Sequence, residues 1–162
     1  MNAIDMLEED HRMVEELFEA IEATRDLGER AELFGELADA LAVHAALEED
    51  VFYPACKSED TEEALLESLE EHLQAKRLLA DLLELEPTDA VFMAKISVLK
   101  DAIFRHVERE EGELMPEVRR LLGDDLLMAL GNDMIVKRVE LELIGEPRRQ
   151  IPLETDEAPA LE

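Results

Sequence analysis

Four stretches of the chain place apolar residues three and four positions apart, the repeat of a helix with one buried face, and each is bounded by glycine or proline. The first follows Asn2, a favourable N-cap, and runs Ile4, Leu7, Val14, Phe18 and Ile21 toward Gly28, with His11 filling the one gap in the stripe. The second is expected from Glu29 to Tyr53. It carries Phe34, Leu37, Leu41 and Val51, completes its face with His44 and Glu48, and is closed by Pro54. The third starts at Ser58 or Thr61, sets Leu65, Leu69, Leu79 and Leu83 around His72 and Lys76, and stops at Pro87. The fourth follows Thr88, places Phe92, Ile96, Leu99 and Ile103 ahead of His106 and Glu110, and ends no later than Gly123.

Segments of this length span roughly 35 to 45 Å, and short connections make neighbours antiparallel. The fold class predicted is all-α: an up-down-up-down four-helix bundle. Beyond it, Asp124 or Asp125 caps a shorter helix bearing Leu126, Leu127, Leu130 and Met134, laid against the bundle. Val139 to Leu143 alternates apolar residues with Glu and fits no single period. The remainder, GEPRRQIPLETDEAPALE, is rich in proline and acid and reads as a solvated, poorly ordered tail. The organisation expected is thus one domain over 1–143, the bundle with its appended helix, and a flexible acidic tail over 144–162.

The chain also repeats itself. HAALEEDVFYP at 44–54 aligns with HVEREEGELMP at 106–116 at an offset of 62, and EDH ending at His11 aligns with EEH ending at His72 at an offset of 61. Two copies of one helix pair keep the polar His and Glu of the inward stripe while most residues around them differ.

Charge narrows the classes of function. Lys and Arg number 16 against 43 Asp and Glu, a net charge of −27, and such a field repels phosphate backbones and anionic lipid. Neither nucleic acid nor a membrane surface is expected as a partner. No apolar run approaches the roughly 20 residues that cross a bilayer. The N-terminus is acidic where a secretory signal would be basic, and the single Cys56 cannot form an intramolecular disulfide. A cytoplasmic, reducing setting is the expectation.

All four histidines of the protein, with two glutamates, fall on the inward stripes: His11, His44, Glu48, His72, His106 and Glu110. An ionised carboxylate in an apolar core costs several kcal/mol unless it is paired or bound to a cation, and two of them repel. Residues four apart lie one above the other on a helix face, so His44 with Glu48, and His106 with Glu110, each direct an imidazole and a carboxylate to one point. Four imidazoles and two carboxylates about a pseudo-twofold axis suit two metal ions, with both glutamates shared. This mixture of ligands suits iron, with manganese as the rival. A structural zinc would need four ligands in a closed tetrahedron, whereas six over two octahedral ions leave open positions. The ferritin-like pattern uses Glu-x-x-His on two helices, and only Glu8 with His11 shows that spacing.

The set His11, His44-x-x-x-Glu48, His72 and His106-x-x-x-Glu110 resembles the hemerythrin-like, or HHE cation-binding, domain over residues 3–122. The resemblance implies a four-helix bundle holding a non-haem di-iron centre. Glu48 and Glu110 would bridge, His11 and His44 would serve one iron, and His72 and His106 the other. It further implies a ligand such as dioxygen, peroxide or nitric oxide, handled in a redox or sensing role. Alternatives are a non-enzymatic carrier or sensor of oxygen or iron, and a peroxide-removing enzyme of catalase or peroxidase type. A di-iron oxidase activity also falls within the family's range.

The oxygen-carrying members have a second histidine one turn along the third helix, where this chain has Lys76. An ammonium cannot ligate metal, so the substitution points toward redox chemistry or sensing and away from reversible storage. Lys76 either donates a hydrogen bond to a ligand at the site or pairs with Glu15, its counterpart in the first repeat; the pair with Glu15 is the expectation. Glu49 and Glu111 lie about 100° around the helix from the bridging candidates and are expected to be solvated, beside the site or on the surface. Tyr53, nine residues after His44, is placed near the opposite face and expected to pack at an edge. Cys56 reads as an ordinary free thiol in a connection. The helix at 124–143 offers a surface through which a ligand state could reach a partner or a second copy in a homodimer.

Overall fold

The computed structural model describes residues 1–162, all helix and connection. α1 (Ala3–Ala23) starts where Asn2 accepts from the Asp5 amide at 2.9 Å. It ends at Thr24, four residues before Gly28, because Asp26 already caps α2 (Leu27–Leu47) by accepting from the Glu29 amide. The inward stripe of α1 is buried along its whole length, from Ile4 and Leu7 through His11 to Phe18 and Ile21.

The second rod does not stop at Pro54. Glu48–Phe52 widens into a π-turn, and α3 (Tyr53–Cys56) continues from it with the proline in its first turn, where a proline is tolerated. The fourth rod repeats this: α5 (Phe92–Arg109) leads into a π-turn at Glu110–Leu114, and Pro116 sits in the first turn of α6 (Met115–Ile144). Between them, α4 (Glu62–Leu83) follows Thr61. α1 packs along α2 and α4 along α5, which completes the four-rod bundle.

Gly123 breaks α6 at φ 73° and ψ 170°, a conformation essentially confined to glycine, so the fourth rod ends there and the appended helix begins. The later part packs on α1 through Leu127, Leu130 and Met134, whereas Leu126 is exposed. Val139 to Leu143 is helical. Gly131 lies against the N-terminal backbone, where a Cβ would stand 2.5 Å from the Met1 carbonyl oxygen.

The segment expected to be a loose tail is laid down in part as a 3₁₀-helix, Pro147–Glu154, against α2 and α4. Ile151 is buried there at 2% exposure among Leu37, Leu41 and Leu79. The Arg148 amide donates to Asp39 at 3.0 Å, and Arg77 donates to the carbonyls of Thr155 and Asp156. One apolar side chain and these bonds outweigh the disordering composition around them.

Two apolar bodies make the core. One gathers Leu7, Leu47, Phe52, Tyr53, Leu65 and Met134; the other gathers Phe18, Phe34, Leu37, Leu79, Phe92 and Leu99. The polar residues of the inward stripes form the layer between them.

Candidate metal centre

That layer holds His11 from α1, His44 from α2, His72 and Lys76 from α4, and His106 from α5. Glu48 and Glu110 stand at the first residue of each π-turn, and all seven residues are buried. The six residues singled out by the sequence therefore meet in one place. The ligand-bearing atoms of His11, His44, Glu48 and Glu110 lie within 4.8 Å of one another, and so do those of Glu48, His72 and His106, which makes two neighbouring groups sharing Glu48. Glu48 Oε1 is 3.1 Å from His44 Nε2 and 3.2 Å from His72 Nε2; Glu110 is 3.2 Å from His11 Nε2 through Oε1 and 3.3 Å from His106 Nε2 through Oε2.

The chemistry of these donors fits cations. The Nε2 atoms of His11, His44 and His106, both oxygens of Glu48 and Oε1 of Glu110 are buried with no hydrogen-bond partner. A native interior rarely leaves one such atom unsatisfied, and here six converge on one small volume. Their lone pairs need protons or metal.

The other side of each ring is fully specified. An ionised carboxylate only accepts, so Nδ1 donates in every case: His11 to Glu111 at 2.6 Å, His72 to Glu49 at 2.7 Å, His44 to Asp10 at 3.1 Å and His106 to Glu71 at 2.9 Å. With the Nδ1 proton held there, each ring turns Nε2 inward, the arrangement that orients histidine for metal. The pattern obeys the internal repeat, since Asp10 and Glu71 each precede a site histidine and Glu49 and Glu111 each follow a site glutamate. Each carboxylate in turn meets a cation: Arg12 on Glu111, Lys76 on Glu49, Arg138 on Asp10 and Arg109 on Glu71.

Four expectations are corrected. Glu49 is not solvated; its side chain is 8% exposed and holds both His72 and Lys76. Lys76 does not pair with Glu15, which meets Arg12 on its own helix; the buried ammonium goes to Glu49 at 2.9 Å and Glu154 at 3.3 Å. Tyr53 is not at an edge. The π-turn adds a residue to its turn and rotates the next residues of the rod by about 100°, so Tyr53 comes inside, fully buried. It donates to Glu110 Oε2 at 2.5 Å and stacks on His72. The repeated proline ten residues after each motif histidine is the one sequence signal of these turns. Cys56 is a free thiol, as expected, but it is buried at the end of α3 and not in a connection.

Charges reinforce the geometry. Burial works to lower the His44 imidazolium, but the Glu48 charge and the Asp10 hydrogen bond outweigh it and raise the group to about 10. His72 and His106 are raised in the same way, against burial, by their carboxylates. Burial opposes ionisation of Glu48, yet His44 and the neighbouring groups hold it well below the usual carboxylate range. Tyr53 moves the other way, its phenol pushed up by burial and by Glu110 and Glu48.

A cavity of about 40 Å³ adjoins the four histidines on the side away from Tyr53, walled by Val14, Leu41, Leu79, Ile103 and Val107. One water needs roughly 10–15 Å³ of such space, so the cavity admits one small molecule beside the imidazoles.

Comparison with known proteins agrees with this architecture. The family model described as Hemerythrin HHE cation binding domain matches residues 2–118. A DNA nickase of Nostoc sp. is 31% identical over 77% of this chain, but the chain spans only 36% of that protein's length. The uncharacterized protein Rv2633c of Mycobacterium tuberculosis is 29% identical over 91% of this chain and 90% of its own. Among solved structures, the hemerythrin HHE cation binding domain-containing protein of Mycobacterium kansasii, a homolog of Rv2633c, superposes with a TM-score of 0.77 at 26% identity, covering 92% of this chain and 98% of that one. The buried His and Glu groups, the all-helical bundle and the matched residues agree: the chain belongs to the hemerythrin HHE cation-binding domain family.

Proposed function

We propose that the chain is a non-haem di-iron protein that binds a small ligand, namely dioxygen, peroxide or nitric oxide, in a redox or sensing role. His11 and His44 would hold one iron and His72 and His106 the other, with Glu48 and Glu110 between them and manganese as the alternative metal. The observation that carries this reading is the set of buried Nε2 and carboxylate atoms without partners. When bound, the metal pair would supply open coordination positions and change of oxidation state.

The protein's own residues do the rest. Asp10, Glu49, Glu71 and Glu111 fix the imidazoles, Tyr53 steadies Glu110, and the apolar wall of the small cavity excludes bulk water and ions. Elemental analysis of protein purified without chelator tests the reading; two irons per chain are expected, and a chain that retains no transition metal overturns it. Loss of added peroxide, compared with a His72→Ala variant, separates a peroxide-removing enzyme from a carrier or sensor. Only in the enzyme does wild type outpace the variant through many turnovers. The nickase activity of the Nostoc relative belongs to a much longer protein, and a charge of −27 disfavours duplex DNA as a partner of this chain.

A further inference from the structure

The small cavity at the histidines is not sealed from the exterior by the bundle alone. A second space, a groove of about 400 Å³, runs between α2 and the segment Gly145–Glu154, and it shares Leu41, Ala45, Lys76 and Leu79 with the inner cavity. Those four side chains are all that the two spaces have in common, so they form the partition. Three of them are apolar. The fourth, Lys76, lines both spaces and is tied to Glu49, which holds His72, and to Glu154 of the 3₁₀-helix. Glu154 is 46% exposed, and the helix that carries it is fixed at its start by Asp39, at its middle by Ile151 and just beyond Glu154 by Arg77, so the latch is a side-chain contact on an anchored backbone.

We propose that the groove under Pro147–Glu154 is the entrance by which a small uncharged ligand of diatomic or peroxide size reaches the histidine cavity, and that Lys76, latched to Glu154, is its gate. The inference rests on the proposed small-ligand function and adds to it the route and the selecting residue. The partition favours an uncharged ligand. An anion arriving through it meets Asp50 and Glu154 in the groove, where the one guanidinium, Arg149, is already paired with Glu146, and then a bottleneck of Leu and Ala whose one ammonium is shared by two carboxylates. A hydrated cation is held by the carboxylates of the groove and would have to shed its water in the same apolar bottleneck.

Ala42 and Ala46 line the groove and not the inner cavity, so they allow the route to be blocked without touching the site. In the full-length, iron-loaded protein, association of nitric oxide followed by stopped flow should slow at least tenfold in Ala46→Phe and in Ala42→Phe, while iron content and the final spectrum stay as in wild type. Glu154→Gln keeps the size of the side chain and removes the charge that holds the latch, and should accelerate association severalfold. A readout independent of iron chemistry is the exchange of dissolved xenon with the cavity, observed by xenon NMR on the protein as purified; the two Phe variants should slow it. If both Phe variants leave both rates unchanged, the entrance is elsewhere. If they slow entry but Glu154→Gln has no effect, Lys76 is not the gate. A protein that holds no iron would sink the proposed function, yet the xenon measurement would still decide the entrance.

Discussion

Each site histidine is the inner member of a chain of three groups: an Arg or Lys at the outside, a carboxylate, and the imidazole. The carboxylate selects the Nδ1–H tautomer and prevents the ring from turning, and the cation keeps the carboxylate ionised in a partly buried setting. Neutralising the middle link should therefore act on metal binding more than on folding. Asp10→Asn and Glu49→Gln are expected to weaken metal affinity about 10- to 100-fold, measured by competition with a chromogenic chelator. Glu15→Gln, on α1 but bonded only to Arg12, should leave it unchanged. Tyr53→Phe deletes the one hydrogen bond to Glu110 Oε2, a bond to a charged acceptor worth about 1.5–3 kcal/mol, and urea unfolding should show a loss of that order. The histidines and the two shared glutamates are legible in the sequence because helical spacing plus duplication leaves them little freedom. Their carboxylate partners are written in the same repeats, in EDH against EEH and in the doubled Glu, but nothing in one sequence says which ring each one faces across the bundle.

At the scale of the helices, an even period cannot place Tyr53. A uniform 100° per residue accounts for the buried stripes of α1, α2, α4 and α5, and it fails after Glu48 and Glu110, where each rod widens by one residue. Both π-turns begin at the glutamate that the two metal groups need, so the irregularity lies at the site and leaves the remainder of each rod regular, a common location for such turns. The 3₁₀-helix escapes a reading of the sequence for a different reason: its ordering depends on Ile151 finding a gap between α2 and α4, a tertiary fact that composition does not contain. Gly123 ends the fourth rod, as its sequence position suggests, but does so as a break between two joined helices. A Cβ there meets no neighbour but is forced into a backbone region closed to other residues, so Gly123→Ala should cost about 1–3 kcal/mol in denaturant unfolding. Because the break lies beyond the second π-turn, metal content should not change.

The molecule as a whole is two apolar cores separated by a charged layer, and protons and metal compete for that layer. Without metal, His44, raised to about 10, holds its proton through neutral pH, and His72 and His106 are shifted in the same direction by their carboxylates. A group that binds its proton more tightly in the folded chain adds stability that is complete below its unfolded value, near 6.5, and is lost as pH rises through the folded one. Glu48 and Glu49 are lowered, so their share is complete above 4.5 and lost as pH falls. The metal-free bundle should accordingly be most stable between 4.5 and 6.5 and weaken toward pH 10. Metal needs the lone pairs those protons occupy, so its contribution runs in the opposite direction. The difference in Tm between metal-loaded and metal-free protein should widen steadily from about pH 5.5 to about pH 8.5, and loading at neutral pH should release protons, measurable by calorimetry in buffers of different ionisation enthalpy. A constant difference across that range, with no proton release, would mean that the metal binds somewhere other than between the two cores.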